Sequence, residues 1–235
     1  MKKKYSIQKE ITIIYNAVER KKSNIEGDKN SSPLRKAVLQ GSINRSNISE
    51  PNKIILYQGA CTAGRGIEII VKAMPKINEE WILVIMGWGE YIKYLKILSK
   101  KIKVENRIVF LPPASQDELI KWTTGADIGI IPYVNNCLNH LYCSPNKLWE
   151  YPFAGVPIIA PDFPFLGYMI NKYQIGWTLK EMNPHYLSEC INLITKSDLL
   201  EKSKKFPHFI EEECWEHSLD RLIKIYTDLL KRIEK

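Results

Sequence analysis

The chain contains no apolar run long enough to cross a bilayer, so no segment reads as a transmembrane span. It opens on Lys2-Lys3-Lys4, but the mixed, polar residues that follow do not make a signal peptide. Its five cysteines form no CxxC pair and no regular framework, so reduced thiols are expected. His140, His185, His208 and His217 lack the spacing of a metal site. No Asp-x-Asp stands where it could hold a divalent ion, and no Gly-x-Ser-x-Gly nucleophile elbow occurs. These absences favour an electrostatic site over metal or nucleophilic catalysis. They also point to a cytoplasmic protein whose association with a membrane is peripheral at most.

What is present is ordinary in amount and informative in order. With 235 residues, 45% hydrophobic and 26% charged, there is room for one large domain or two small ones with an ample core. The net charge of +8 biases the chain toward anionic partners: nucleotide sugars, anionic membranes or nucleic acid. Much of that excess is Lys scattered over helical stretches, among them Lys93, Lys96, Lys100, Lys101 and Lys103, which reads as solvated surface. No nucleic-acid motif accompanies it, so nucleic acid is not an expected partner.

Residues 1–20 hold a strand-like run at Ile11–Tyr15, and residues 21–52 are polar, read as a linker with a short helix near Leu34–Leu39. From Lys53 the pattern alternates. Strands are expected at Ile54–Tyr57, Trp81–Met86, Ile108–Leu111, Ile128–Ile131, Pro157–Ala160 and Ile175–Leu179, with helices near 65–76, 90–102, 115–124 and 145–154 between them. Ser115 with Glu118 reads as a capping box, and Asn183-Pro184 opens another helix. The strands are continuous apolar runs, which requires a sheet covered on both faces. The expectation is therefore an α/β fold with a doubly wound, mostly parallel sheet over 53–215, whose ligand lies outside the carboxyl ends of the strands. A last helix over 216–235 carries Leu219, Leu222, Ile223, Tyr226, Leu229, Leu230 and Ile233 at helical spacing and reads as a packing helix.

The stretch Ser144-Pro145-Asn146-Lys147-Leu148-Trp149-Glu150 looks like a helix start built for an anion. Ser144 suits the N-cap, Pro145 the first helical position, and free amides favour a phosphate. Lys147 adds a point charge, and Glu150, one turn on, shares its face. A cation beside a carboxylate suits a nucleotide, read as diphosphate plus ribose. After the first main strand comes Gly59-Ala60-Cys61-Thr62-Ala63-Gly64-Arg65-Gly66, where glycines permit tight turns and Arg65 arrives at a helix start. Taken alone, this loop reads better as a plain strand-to-helix turn than as a diphosphate clamp. Gly87-Trp88-Gly89 reads the same way.

The ordered set of motifs resembles the C-terminal, donor-binding half of GT-B glycosyltransferases, specifically the retaining family four, in its Pro-Asn-Lys subgroup. The matching runs are Leu56–Gly59, Arg65–Glu68, Ile85–Gly89, Ala126–Gly129, Ser144–Tyr151 and Ala154–Ala160, with Trp215-Glu216 before the final helix. The resemblance implies a Rossmann-like domain that binds a nucleotide-diphosphate sugar as substrate, with no cofactor and no metal. It implies that Arg65, Lys147 and Gly64 meet the diphosphate and Glu150 the ribose, with Gly59, Asn146, Ser144 and Tyr142 further around the donor pocket. Tyr142 stands where many members carry a first Glu. Pro152 should kink or shorten the helix, and Pro112-Pro113 stand near the expected nucleobase pocket. The resemblance also implies that the N-terminal domain is largely missing, with residues 1–20 its remnant. Some catalytic groups would then lie in that domain, or on a partner chain that supplies it. A glycan or lipid-linked acceptor, at the inner face of a membrane, completes the expectation.

Overall fold

In the computed structural model, which describes residues 12–24, 27–42 and 53–233, six strands form one parallel sheet in the order β3-β2-β1-β4-β5-β6. They are β1 (Lys53–Ala60), β2 (Trp81–Trp88), β3 (Ile108–Leu111), β4 (Ile128–Ile130), β5 (Ile158–Pro161) and β6 (Gly176–Leu179). Side chains alternate across a pleated strand, so Ile54 and Leu56 of β1 enter one apolar layer while Ile55 and Tyr57 enter the other. Both layers are buried. That is why the strands carry no polar face, and the doubly wound reading of the sequence holds.

Helices fill the connections: α1 (Pro33–Ser42), α2 (Ile67–Ala73), α3 (Tyr91–Lys101), α4 (Leu119–Thr123), α5 (Leu138–Leu141), α6 (Lys147–Phe153), α7 (Pro164–Tyr173), α8 (Pro184–Leu193), α9 (Lys196–Ser203), α10 (Phe206–Glu213) and α11 (Trp215–Ile233). Asn183 caps α8, its side chain accepting from the Tyr186 amide at 2.9 Å. Pro152 lies inside α6, which ends one residue later. The polar stretch expected as a linker does carry the short helix expected near Leu34–Leu39, here α1, but its Leu34 and Val38 enter the core. Arg35 Nη2 meets Asp127 Oδ2 at 2.7 Å, and that oxygen also accepts from the Ile54 amide at 2.8 Å, tying α1 to the start of β1. Residues 43–52 of that stretch lie outside the described residues.

Three local expectations fail. Thr12–Tyr15 joins no strand; Tyr15 packs between Trp149 and Phe165, with ring centroids at 5.6 and 5.0 Å, while Ile11 lies outside the described residues. Ser115 and Glu118 meet side chain to side chain at 3.3 Å, but α4 begins only at Leu119, so this is a turn and not a capping box. Ser144 does not cap α6. That helix begins at Lys147, after Pro145 and Asn146 form a separate turn whose carbonyls accept from the Leu148 and Trp149 amides at 2.9 Å.

The final helix departs most from expectation. Its start is anchored, with the Trp215 amide donating to Val18 O at 2.9 Å and the Arg20 amide to the Glu216 carboxylate. Beyond that, the stripe expected to pack stands largely in solvent: Leu219, Ile223, Tyr226, Leu229 and Leu230 are between 38% and 61% exposed. No helix among the described residues is long and apolar enough to cross a membrane.

Candidate functional site

The chain winds from β1 outward through β2 to β3, then returns to β4 on the other side of β1. The two directions part between β1 and β4, and in open parallel sheets the crevice at such a switch point is where ligands bind. The carboxyl end of β1 delivers Gln58, Gly59 and Ala60 to this crevice, and the loop leading to α2 follows at once. Gly59 has φ of +114°, and a Cβ there would come within 3.0 Å of Lys147 Nζ. Gly66 has φ of +77°, and a Cβ would sit 1.9 Å from the Pro132 carbonyl oxygen. Only glycine lets the loop pass this close to the end of β4.

That passage sets Arg65. Its Nε donates to Thr62 Oγ1 at 3.2 Å and its Nη1 to the Tyr133 hydroxyl at 3.0 Å. Tyr133, just after β4, is itself stacked on His140 at 4.8 Å. The guanidinium is therefore held from two sides without a carboxylate partner among the described residues.

Lys147, the first residue of α6, is 8% exposed and lies 5.4 Å from the centre of the Tyr57 ring. Burial lowers its pKa most; Glu150 pulls it back up, and Arg65 pushes it further down. Glu150 keeps part of its surface open to the crevice, yet enough protein surrounds it for burial to raise its carboxyl pKa. Opposing that, Gln58 Nε2 donates to Glu150 Oε2 at 2.7 Å, and Lys147 stands nearby. The Cys61 and Cys143 thiols, next to the same lysine, are each pushed up to about 11, chiefly by burial. Both are thus protonated and poorly nucleophilic at neutral pH.

These groups line one cleft of about 450 Å³: Gly59, Arg65, Tyr133, Asn146, Lys147 and Glu150, with Gln58 at its floor and Trp88 and Pro113 at its side. A recess of about 240 Å³ adjoins it across Asn146 and Glu150, with Asn16 and Glu19 on its far wall. Two cations and one carboxylate thus meet in a space of ligand size, a combination that fits an anion bonded to a hydroxyl-bearing group.

Of the residues singled out in the sequence, Arg65, Lys147, Glu150, Gly59 and Asn146 come together here. Gly64, at φ of +82°, shapes the turn before Arg65 but is not in the lining. Ser144 and Tyr142 stand exposed outside it, carried there by the turn that ends α5. Tyr133 escaped the sequence reading, while Gln58 and Trp88 fell inside the runs Leu56–Gly59 and Ile85–Gly89 without being given a role of their own. Gln58 left a further signal, as the one polar residue closing the run Ile54-Ile55-Leu56-Tyr57.

Residues 41–211 match the family described as glycosyl transferases group 1. The chain belongs to that family. A glycosyltransferase of Methanocaldococcus jannaschii is 35% identical over 94% of this chain and 57% of its own length. The D-inositol 3-phosphate glycosyltransferase of Xylanimonas cellulosilytica is 23% identical over 49% of this chain and 27% of its own. Among solved structures, a glycosyltransferase from Rickettsia africae aligns over 94% of this chain and 57% of its own, with a TM-score of 0.71 at 17% identity. Anabaena HepE, crystallised with UDP-glucose, aligns over 92% and 57% with a TM-score of 0.71 at 13% identity. The chain thus has the Rossmann-like, parallel-sheet fold of these GT-B glycosyltransferases, and it covers at most 57% of the length of each of these four proteins.

Proposed function

We propose that the cleft is the donor site of a retaining glycosyl transfer of the family-four, Pro-Asn-Lys kind, and that it holds a nucleoside-diphosphate sugar. One observation carries this reading: Arg65, Lys147 and Glu150, from two separate parts of the chain, meet in a single cleft at the switch point of the sheet. HepE, of the same fold, is crystallised with UDP and UDP-glucose, which supports a nucleotide sugar as the ligand class.

In this reading Lys147 and Arg65 face the diphosphate, Gly64 shapes the turn beside it, and Glu150 accepts hydrogen bonds from the ribose hydroxyls. Transfer breaks the bond between the sugar's anomeric carbon and the diphosphate oxygen, which keeps the electron pair. An acceptor hydroxyl oxygen bonds to that carbon and its proton passes to the departing diphosphate. Negative charge grows on the leaving diphosphate, so cations already fixed there stabilise the transition state more than the ground state. The reading assigns no metal and no cofactor. It places the acceptor, a glycan or lipid-linked glycoconjugate, on a further domain of the same protein or a partner chain. The exposed apolar row of α11 supports such a neighbour. A cytoplasmic location, at most peripheral to the membrane, completes it.

Titration of UDP, GDP and ADP, and of the matching nucleosides, against wild type, Lys147→Ala and Glu150→Ala tests the site. Lys147→Ala should weaken diphosphates about 10- to 100-fold while sparing nucleosides, as a lost hydrogen bond to a charged group would. Glu150→Ala should weaken both classes. Equal affinities across the three proteins would refute the reading. Binding without sugar transfer, measured with the acceptor domain present, would instead assign the chain a non-catalytic donor-binding role.

A further inference from the structure

Gln58 is 2% exposed at the end of an apolar strand, and a buried primary amide is costly unless both its ends are bonded. Both are. Its Nε2 donates to Glu150 Oε2 at 2.7 Å, and its Oε1 accepts from Thr123 Oγ1 at 2.8 Å. Thr123 is fully buried on α4, and its hydroxyl also lies 2.7 Å from Leu119 O. The chain Thr123–Gln58–Glu150 therefore runs from a helix, through the central strand, to the carboxylate in the cleft.

The order of the amide matters. Turned the other way, Gln58 would set a carbonyl oxygen against a carboxylate oxygen at the same separation. That contact is tolerable only if Glu150 holds a proton. Thr123 has one hydroxyl proton, shared between Oε1 and Leu119 O at 2.8 and 2.7 Å, so the ionised Glu150 is what selects the first orientation. We infer that Gln58 is a positioning residue for the donor: it binds one oxygen of Glu150, fixes the carboxylate's rotamer in the ionised form, and leaves its remaining lone pairs to the ligand. This rests on the reading of Glu150 as the acceptor of ribose hydroxyl protons.

The test compares UDP, GDP and ADP with their 2′,3′-dideoxy forms, by calorimetry on the full chain. Wild type should prefer the ribose form about 10-fold or more, the span of a hydrogen bond to a charged acceptor. Gln58→Leu should cut that preference to about 3-fold or less while leaving affinity for the dideoxy form unchanged. Gln58→Glu can donate only while the new carboxyl pair holds a proton, so its preference should fall as pH rises from 5 to 8 and recover as pH falls. Lys147, Tyr151 and Tyr133 also face Glu150, and reading each variant against wild type at every pH removes their shared contribution. Thr123→Val, which deletes one hydroxyl, should lose part of the preference and keeps the test alive should Gln58→Leu fail to fold.

The outcomes separate. If wild type does not discriminate between ribose and dideoxy forms, or binds none of the three, the ribose reading is wrong and this inference falls with it. If wild type discriminates, Glu150→Ala abolishes the preference and Gln58→Leu keeps it, the ribose reading stands and the role of Gln58 is overturned. An equal loss for both ligand forms in Gln58→Leu would also overturn it.

Discussion

Lys147 sits where burial works against its own charge, and that has a consequence for stability. Its pKa is lowered in the folded chain, so between that value and 10.5 the unfolded chain binds more protons. Stability therefore rises with pH through that window, and the cost of the buried ammonium is felt in full below it. Lys147→Met should make the ligand-free chain more resistant to urea at pH 7, with the gap closing as pH approaches 10; an advantage constant over pH would contradict this. The same substitution should reduce the stabilisation that added nucleoside diphosphate confers. Neighbouring glycines differ in the same concrete way. Gly66→Ala meets the Pro132 carbonyl oxygen at 1.9 Å, whereas Gly64→Ala finds nothing nearer than Asn136 Nδ2 at 3.5 Å. Gly64→Ala should cost about 1 kcal/mol of backbone strain, and Gly66→Ala about 1–3 kcal/mol for strain with the clash added to it. Equal urea midpoints for the two variants would show that the loop yields freely.

At the scale of elements, α1 shows how composition can mislead. The stretch around it is rich in Ser, Asn and Lys, yet Leu34 is fully buried and Arg35 is bonded to Asp127 at the start of the sheet. Leu34→Ala should destabilise the domain by about 2–5 kcal/mol, as for other buried leucines; a loss under about 0.5 kcal/mol would mean that α1 is a detachable arm. α6 makes the complementary point. Its periodicity was legible, but the helix starts two residues later than its sequence suggests, because Pro145 and Asn146 form a turn of their own. The functional spacing survives this, since Lys147 and Glu150 both fall within the helix.

For the whole molecule, the exposed stripe of α11 is the feature that the rest of the described chain does not satisfy. Leu219, Ile223, Tyr226 and Leu230 repeat at helical spacing and remain open to solvent. Exposed positions lend little to a fold. Ile223→Ser with Leu230→Ser should therefore leave urea stability within about 0.5 kcal/mol while reducing self-association in sedimentation velocity. A large stability loss would show that the stripe packs within this chain.

Much of the architecture was written in the order of residues. Continuous apolar runs dictate strands covered on both faces, alternating helical periods dictate crossovers, and that pairing allows little besides a parallel doubly wound sheet. The Lys147–Glu150 pair is likewise local, because helix geometry alone sets one turn between them. Folding decided what no spacing could: that Arg65, some eighty residues earlier, reaches the same cleft; that a quiet Gln58 grips Glu150; and that Ser144 and Tyr142 turn away. Those outcomes depend on which strand ends lie side by side and on which glycines let backbone pass at contact distance, and such relations exist only once the sheet has closed.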